Sequence, residues 1–128
     1  MKITMKLLSV LIAASMVIAL SSATNMQQPN PIGNWKVVSD YAPEGFQTSK
    51  VTISKEEDNF LVEMNFEEIG YKIKGEKVSF TDGIFKFNLY VEGEDVIITM
   101  KFNGEDKLVG TASTSGGEIP LEANRIKQ

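Results

Sequence analysis

The sequence predicts an all-β domain, an antiparallel meander of eight or nine strands that closes into a barrel. Two observations carry this. From Gly33 onward the apolar residues recur with a period of two, which sets one face of a strand inward and the other toward water. The breaks between these runs are short and rich in Gly, Asn and Asp, the residues of tight turns. No window of the chain after residue 23 has the i, i+3, i+4, i+7 stripe of an amphipathic helix. A flattened barrel or a two-sheet sandwich is the alternative way to bury so many one-sided strands.

Residues 1–23 stand apart. Lys2 and Lys6 precede an apolar run from Leu7 to Leu20, and Ser21-Ser22-Ala23 supplies small residues three and one before a cleavage point. This is the layout of a secretory signal peptide. The apolar run, about 14 residues, is shorter than the roughly 20 a membrane-spanning helix needs. The expected product is exported to the periplasm or beyond, with no membrane span after cleavage. Removing 1–23 takes away two lysines and no acid, so the net charge moves from −4 to about −6. That balance argues against nucleic acid as a partner. Residues 24–32 read as a short flexible lead-in, and 33–128 as the single domain.

The strand candidates, in order, are 34–40, 49–54, 59–66, 70–74, 77–80, 84–91, 96–102, 107–114 and 118–126. Trp35 and Val37 share the inward face of the first. Tyr41 to Thr48, with Pro43 and Gly45, is the longest connection. Phe60, Val62, Met64 and Phe66 alternate with Leu61, Glu63 and Asn65 in the third strand, followed by Tyr71 in the fourth. Gly75-Glu76 suits a two-residue hairpin between the fourth and fifth strands. Asp82-Gly83, Asn103-Gly104 and Gly116-Gly117 are further turn signals. Phe85, Phe87, Leu89 and Val91 form one inward row, and Val96, Ile98, Met100 and Phe102 the next. Gly110, Ala112 and Ala123 are small residues on inward positions, where they leave room for a ligand or for Trp35. The last strand carries Ile119, Leu121, Ala123 and Arg125 on one face.

The chain has no cysteine and no histidine. That removes disulfides, thiolate or imidazole metal ligation, and nucleophilic catalysis with a His base. The acidic groups Glu56-Glu57-Asp58, Glu92-Gly93-Glu94-Asp95 and Gly104-Glu105-Asp106 fall in turns and match no EF-hand spacing. No inward pair of acids suggests glycosidase chemistry. The expectation is a non-enzymatic protein with no cofactor and no metal.

The segment Pro31-Ile32-Gly33-Asn34-Trp35-Lys36-Val37-Val38 resembles the opening of the calycin group, the lipocalins and fatty-acid-binding proteins, whose first strand begins Gly-x-Trp. The resemblance implies a barrel whose Trp closes one end against a basic residue of the last strand. Trp35 and Arg125, the only arginine, take those places here. The chain departs from the fatty-acid-binding proteins in lacking a helical pair after the first strand. It also has Lys127 where their carboxylate-binding tyrosine would stand. Two functions follow as expectations. One is a barrel that binds an apolar small molecule in its lumen, with Phe85, Phe87, Met100 and Phe102 lining the site, Tyr71 as its polar group, and Tyr41 and Phe46 at the mouth. The other is a barrel with a filled core whose loops meet a protein partner, as an inhibitor or accessory factor of an exported enzyme.

Overall fold

The computed structural model describes residues 29–127, so the expected signal peptide lies outside the described residues. The described chain forms one nine-stranded sheet, antiparallel throughout. The strands are β1 (Gly33–Val38), β2 (Thr48–Glu56), β3 (Asn59–Phe66), β4 (Tyr71–Lys74), β5 (Glu76–Thr81), β6 (Ile84–Val91), β7 (Glu94–Phe102), β8 (Lys107–Thr114) and β9 (Gly117–Arg125). A single 3₁₀ turn, Glu67–Ile69, joins β3 to β4. The sheet order β4-β3-β2-β1-β9-β8-β7-β6-β5 brings the first and last strands together, with Trp35 opposite Arg125 and Val38 opposite Glu122. The sheet thereby curls into a nearly closed barrel, with one unsealed seam between β4 and β5.

The seam corrects the expected hairpin at Gly75-Glu76. β4 pairs with β3 alone and β5 with β6 alone. The favoured two-residue hairpin turns need positive φ at one or both central residues, and neither Gly75 nor Glu76 has it. The chain instead runs on without reversing. Gly75 N–H donates to the Val62 carbonyl at 2.9 Å, one step beyond the Glu63–Lys74 pair, and Glu76 then pairs with Asn88 on β6. β4 and β5 are thus one stave that leaves β3 for β6, and the barrel has eight staves built from nine strands.

Two local features make the crossing. Between Glu76 and Ser79 the β5–β6 register shifts by a bulge, with Lys77 at φ 52°. A bulge bends its strand and sharpens the twist. At Gly75 the backbone presses inward, so that a Cβ would sit 3.0 Å from the Phe87 ring and 3.1 Å from Val62 Cβ. Both neighbours belong to packed strands. Gly75→Ala is therefore expected to cost about 1–3 kcal/mol through overpacking. Urea unfolding measures it, and an unchanged midpoint would show that the seam relaxes freely.

The remaining turns behave as their residues dictate. Asp82-Gly83 and Glu92-Gly93 hold positive φ at both positions, the hairpin geometry whose twist matches the flanking strands. Glu94 and Asp95, expected in a turn, instead begin β7 and pair with Val91 and Tyr90. β1 also ends at Val38 rather than continuing to residue 40.

The interior divides by height. At the end where the chain enters, aromatic rings interlock: Trp35 on Phe102 at 6.0 Å, Phe102 on Phe80 at 6.1 Å, Phe80 on Phe60 at 5.8 Å, and Phe60 on Phe85 at 5.9 Å. Phe85 in turn meets Phe87 at 5.8 Å. Most of these contacts are edge-on, the arrangement favoured by the ring quadrupoles. The opposite end is lined mainly by Val, Leu, Ile and Met.

Candidate functional site

Four connections lie at the aliphatic end of the barrel: the long β1–β2 loop, the Glu67–Ile69 turn, the Glu92-Gly93 turn and the Ser115-Gly116 turn. Between them opens a cavity of ≈ 200 Å³. Its walls are Val37, Met64, Leu89, Ile98, Ala112, Ile119 and Leu121 from inward strand positions, with Phe46 from the loop. Each of the strand positions follows the period-two pattern, so the same alternation that builds the barrel builds most of the cavity wall.

The loop is anchored rather than loose. Ser39 N–H donates to the Gln47 carbonyl at 2.7 Å, and the Ser39 hydroxyl donates to the Pro120 carbonyl at 3.0 Å. Phe46 packs edge-on against Phe66 at 5.0 Å, and Gly45 lies so close to Ile69 that a Cβ would stand 2.8 Å from it. With φ at 91°, Gly45 is also conformationally suited to glycine. The loop therefore forms a fixed rim over one side of the opening.

The polar groups at the mouth are Ser39, Thr114, Glu92 and Glu94. The Glu94 carboxylate accepts a hydrogen bond from Ser115 N–H, tying the start of β7 to the β8–β9 turn. Hydrogen bonds from the Ser115 side chain and backbone hold the Glu94 carboxyl below its ordinary pKa, so it is ionised at neutral pH. Outside the cavity lining, Ser49 on β2 is buried opposite Val37. Its hydroxyl is buried and has no hydrogen-bond partner among the described residues.

The other end is shut. The Arg125 guanidinium carbon lies 4.3 Å from the Trp35 ring centroid. The same guanidinium donates to the carbonyls of Ile32 (2.8 Å), Asn30 (2.7 Å) and Glu105 (3.1 Å) and to Asp106 Oδ1 (3.0 Å). Trp35 Nε1 donates to the Pro31 carbonyl at 2.9 Å. Residues 30–32 and the β7–β8 turn are thus clipped across this end by one arginine. Lys127 chiefly, with Arg125 adding, holds the Asp106 carboxyl below its ordinary pKa.

The residues singled out from the sequence separate between these two ends. Phe46 lines the cavity. Phe85, Phe87 and Met100 are fully buried below it, and Phe102 packs on Trp35 at the closed end. Tyr71 is not an inward hydroxyl: it stacks on the flank of Phe66 and is 37% exposed. Tyr41 belongs to the rim loop but points to solvent, 79% exposed. Of the small residues, Ala112 lines the cavity and Ala123 is buried opposite Val37 and Leu108. Gly110 instead admits the backbone of β7.

Of the wall residues, Leu89 and Ile119 carried a usable signal, because each lies in the half of its strand toward the Glu92-Gly93 or Ser115-Gly116 turn, whereas Ile98 and Leu121 are the central residues of β7 and β9. Among the described residues no group of three or more acids is placed to hold a metal ion, and no helix is long and apolar enough to cross a membrane. No family model matches this chain, and neither the curated proteins nor the solved structures give a significant match.

Proposed function

We propose that this chain is an exported, lipocalin-like binding barrel that takes a small hydrophobic molecule into the cavity at its aliphatic end. The carrying observation is the contrast between the two ends. The Trp35 end is filled with rings and clipped by Arg125, whereas the opposite end leaves ≈ 200 Å³ open behind a fixed rim. Interiors ordinarily pack as densely as organic crystals. An apolar cavity opening to the surface is the usual form of a small-molecule site. The Gly-x-Trp opening, the terminal arginine and the export-type leader support the lipocalin-like reading from the sequence side.

The second reading, a barrel that docks a protein partner, is favoured by one feature. Tyr41, Ile69 and Tyr71 are exposed on the rim loop and the segment leading into β4.

Calorimetric titration with 1-octanol and with toluene tests the binding reading. Trp35 fluorescence is a poor reporter here, because Trp35 lies at the closed end. Saturable binding is expected, and Ala112→Phe, which places a ring inside the cavity, should reduce it at least tenfold while leaving the protein folded. An absence of saturable heat with either probe removes the binding reading and leaves the protein-docking one.

A further inference from the structure

We propose that the cavity selects a short amphiphile with a cationic head, its tail among Leu89, Ile98 and Leu121 and its head at Glu92 and Glu94. This rests on the binding-barrel reading and adds the size and charge of the ligand.

Size comes from volume. An apolar cavity of about 150 Å³ holds one benzene, six carbons. By proportion, ≈ 200 Å³ holds about eight carbons. Below the cavity, Phe87 and Met100 are fully buried and leave no path toward the closed end. A sixteen-carbon chain has nowhere to place its second half except in water. Each methylene that does enter should tighten binding about fourfold.

Charge comes from the rim. Of the residues lining the cavity, those with a formal charge are Glu92 and Glu94. Glu94 is positioned by Ser115 through one oxygen and keeps further acceptor sites for a ligand. Arg125, which in a carboxylate-binding barrel would be expected to face the ligand, is engaged at the far end with Asp106 and three carbonyls. An ammonium head at this mouth meets attraction and hydrogen-bond acceptors, whereas a carboxylate meets repulsion, both open to screening because Glu92 is exposed and Glu94 partly so.

The test is a calorimetric comparison of octylamine, 1-octanol and octanoate on the same protein, with hexylamine and dodecylamine to read length. Octylamine should bind at least tenfold tighter than octanoate, with 1-octanol between them, and added salt should narrow the gap. Affinity should rise from hexylamine to octylamine and gain nothing further at dodecylamine. The paired substitution Glu92→Gln and Glu94→Gln should bring octylamine to the level of 1-octanol. Octanoate binding as tightly as octylamine would overturn the charge selection and leave the binding barrel standing. Octylamine binding that survives Ala112→Phe would mean surface association and overturn it as well. If none of the five probes binds, both this inference and the binding-barrel reading fail.

Discussion

Trp35→Ala is expected to lower the unfolding free energy by about 3–5 kcal/mol, the usual cost of emptying a buried aromatic site. Trp35 is completely buried, and three contacts fix it: the Phe102 ring edge, the Arg125 guanidinium and the Pro31 carbonyl. Its removal leaves a cavity that the surrounding strands cannot close, since β1 is hydrogen-bonded to β2 on one side and β9 on the other. Trp35→Phe keeps a ring but loses the indole N–H bond, so a smaller loss of about 1–2 kcal/mol is expected. Arg125→Ala should cost about 2 kcal/mol. It removes a cation–π contact and four hydrogen bonds, several of them to carbonyls that water can reach once the arginine is gone. The two changes should not add. Residues in contact couple by about 0.5–3 kcal/mol, and a double-mutant cycle by urea unfolding reads that coupling. A coupling within error of zero would show that the guanidinium does not rest on the ring in solution.

Gly110→Ala is expected to be at least as damaging, although it adds only a methyl group. A Cβ at this position would lie 1.8 Å from the Thr99 carbonyl oxygen and 2.8 Å from Met100 Cα. These are backbone atoms of β7, which is held by β6 on its other flank. No rotamer change relieves the overlap, so β8 must separate from β7 around the Met100–Gly110 pair. Glycine inside a strand commonly marks such a close approach of another backbone. A loss above about 4 kcal/mol is expected, in the range reached only by severe overpacking or core disruption. Soluble yield and urea midpoint measure it. Gly83→Ala is the control. It creates no clash because its Cβ would meet nothing within 4 Å, so its cost should be limited to the strain of φ 77°. A Gly110→Ala protein with a native midpoint would show that the β7–β8 contact is looser than drawn.

The clash at Gly110 was not readable from composition or alternation. Its inward position was. What places it against Thr99 is the close approach of the β7 backbone beside the Met100–Gly110 pair, a contact between two strands. The same division runs through the candidate site. Alternation tells which face of a strand a side chain occupies, and it assigned Phe85, Phe87, Leu89, Ile98, Met100 and Leu121 to the interior, where they are. It does not tell how far along the barrel axis each one sits. In a meander that height follows from counting reversals. A hairpin at Gly75 adds one reversal, which exchanges the two ends for every strand after it. With that extra reversal, Phe85 and Phe102 fall beside Tyr41 and Phe46 at the loop end. Without it, they fall beside Trp35, as observed.

The sequence by itself determined that this domain is all β, that consecutive strands other than β4 and β5 are antiparallel neighbours, which residues other than Tyr71 face inward, and that Trp35 and Arg125 belong to the first and last strands. Each follows from local chemistry: a period of two, tight-turn residues, and connections too short for a crossover. Tertiary structure decided that β4 and β5 are one stave, that the seam lies between them, and therefore which end is filled with rings and which end opens. The physical reason is that Gly75 serves two geometries equally well in sequence. Glycine permits a turn, and glycine also permits a close approach. Only the presence of Phe87 and Val62 within about 3 Å of its missing side chain selects the second. Those neighbours lie on two different strands, and no window of the chain contains all three.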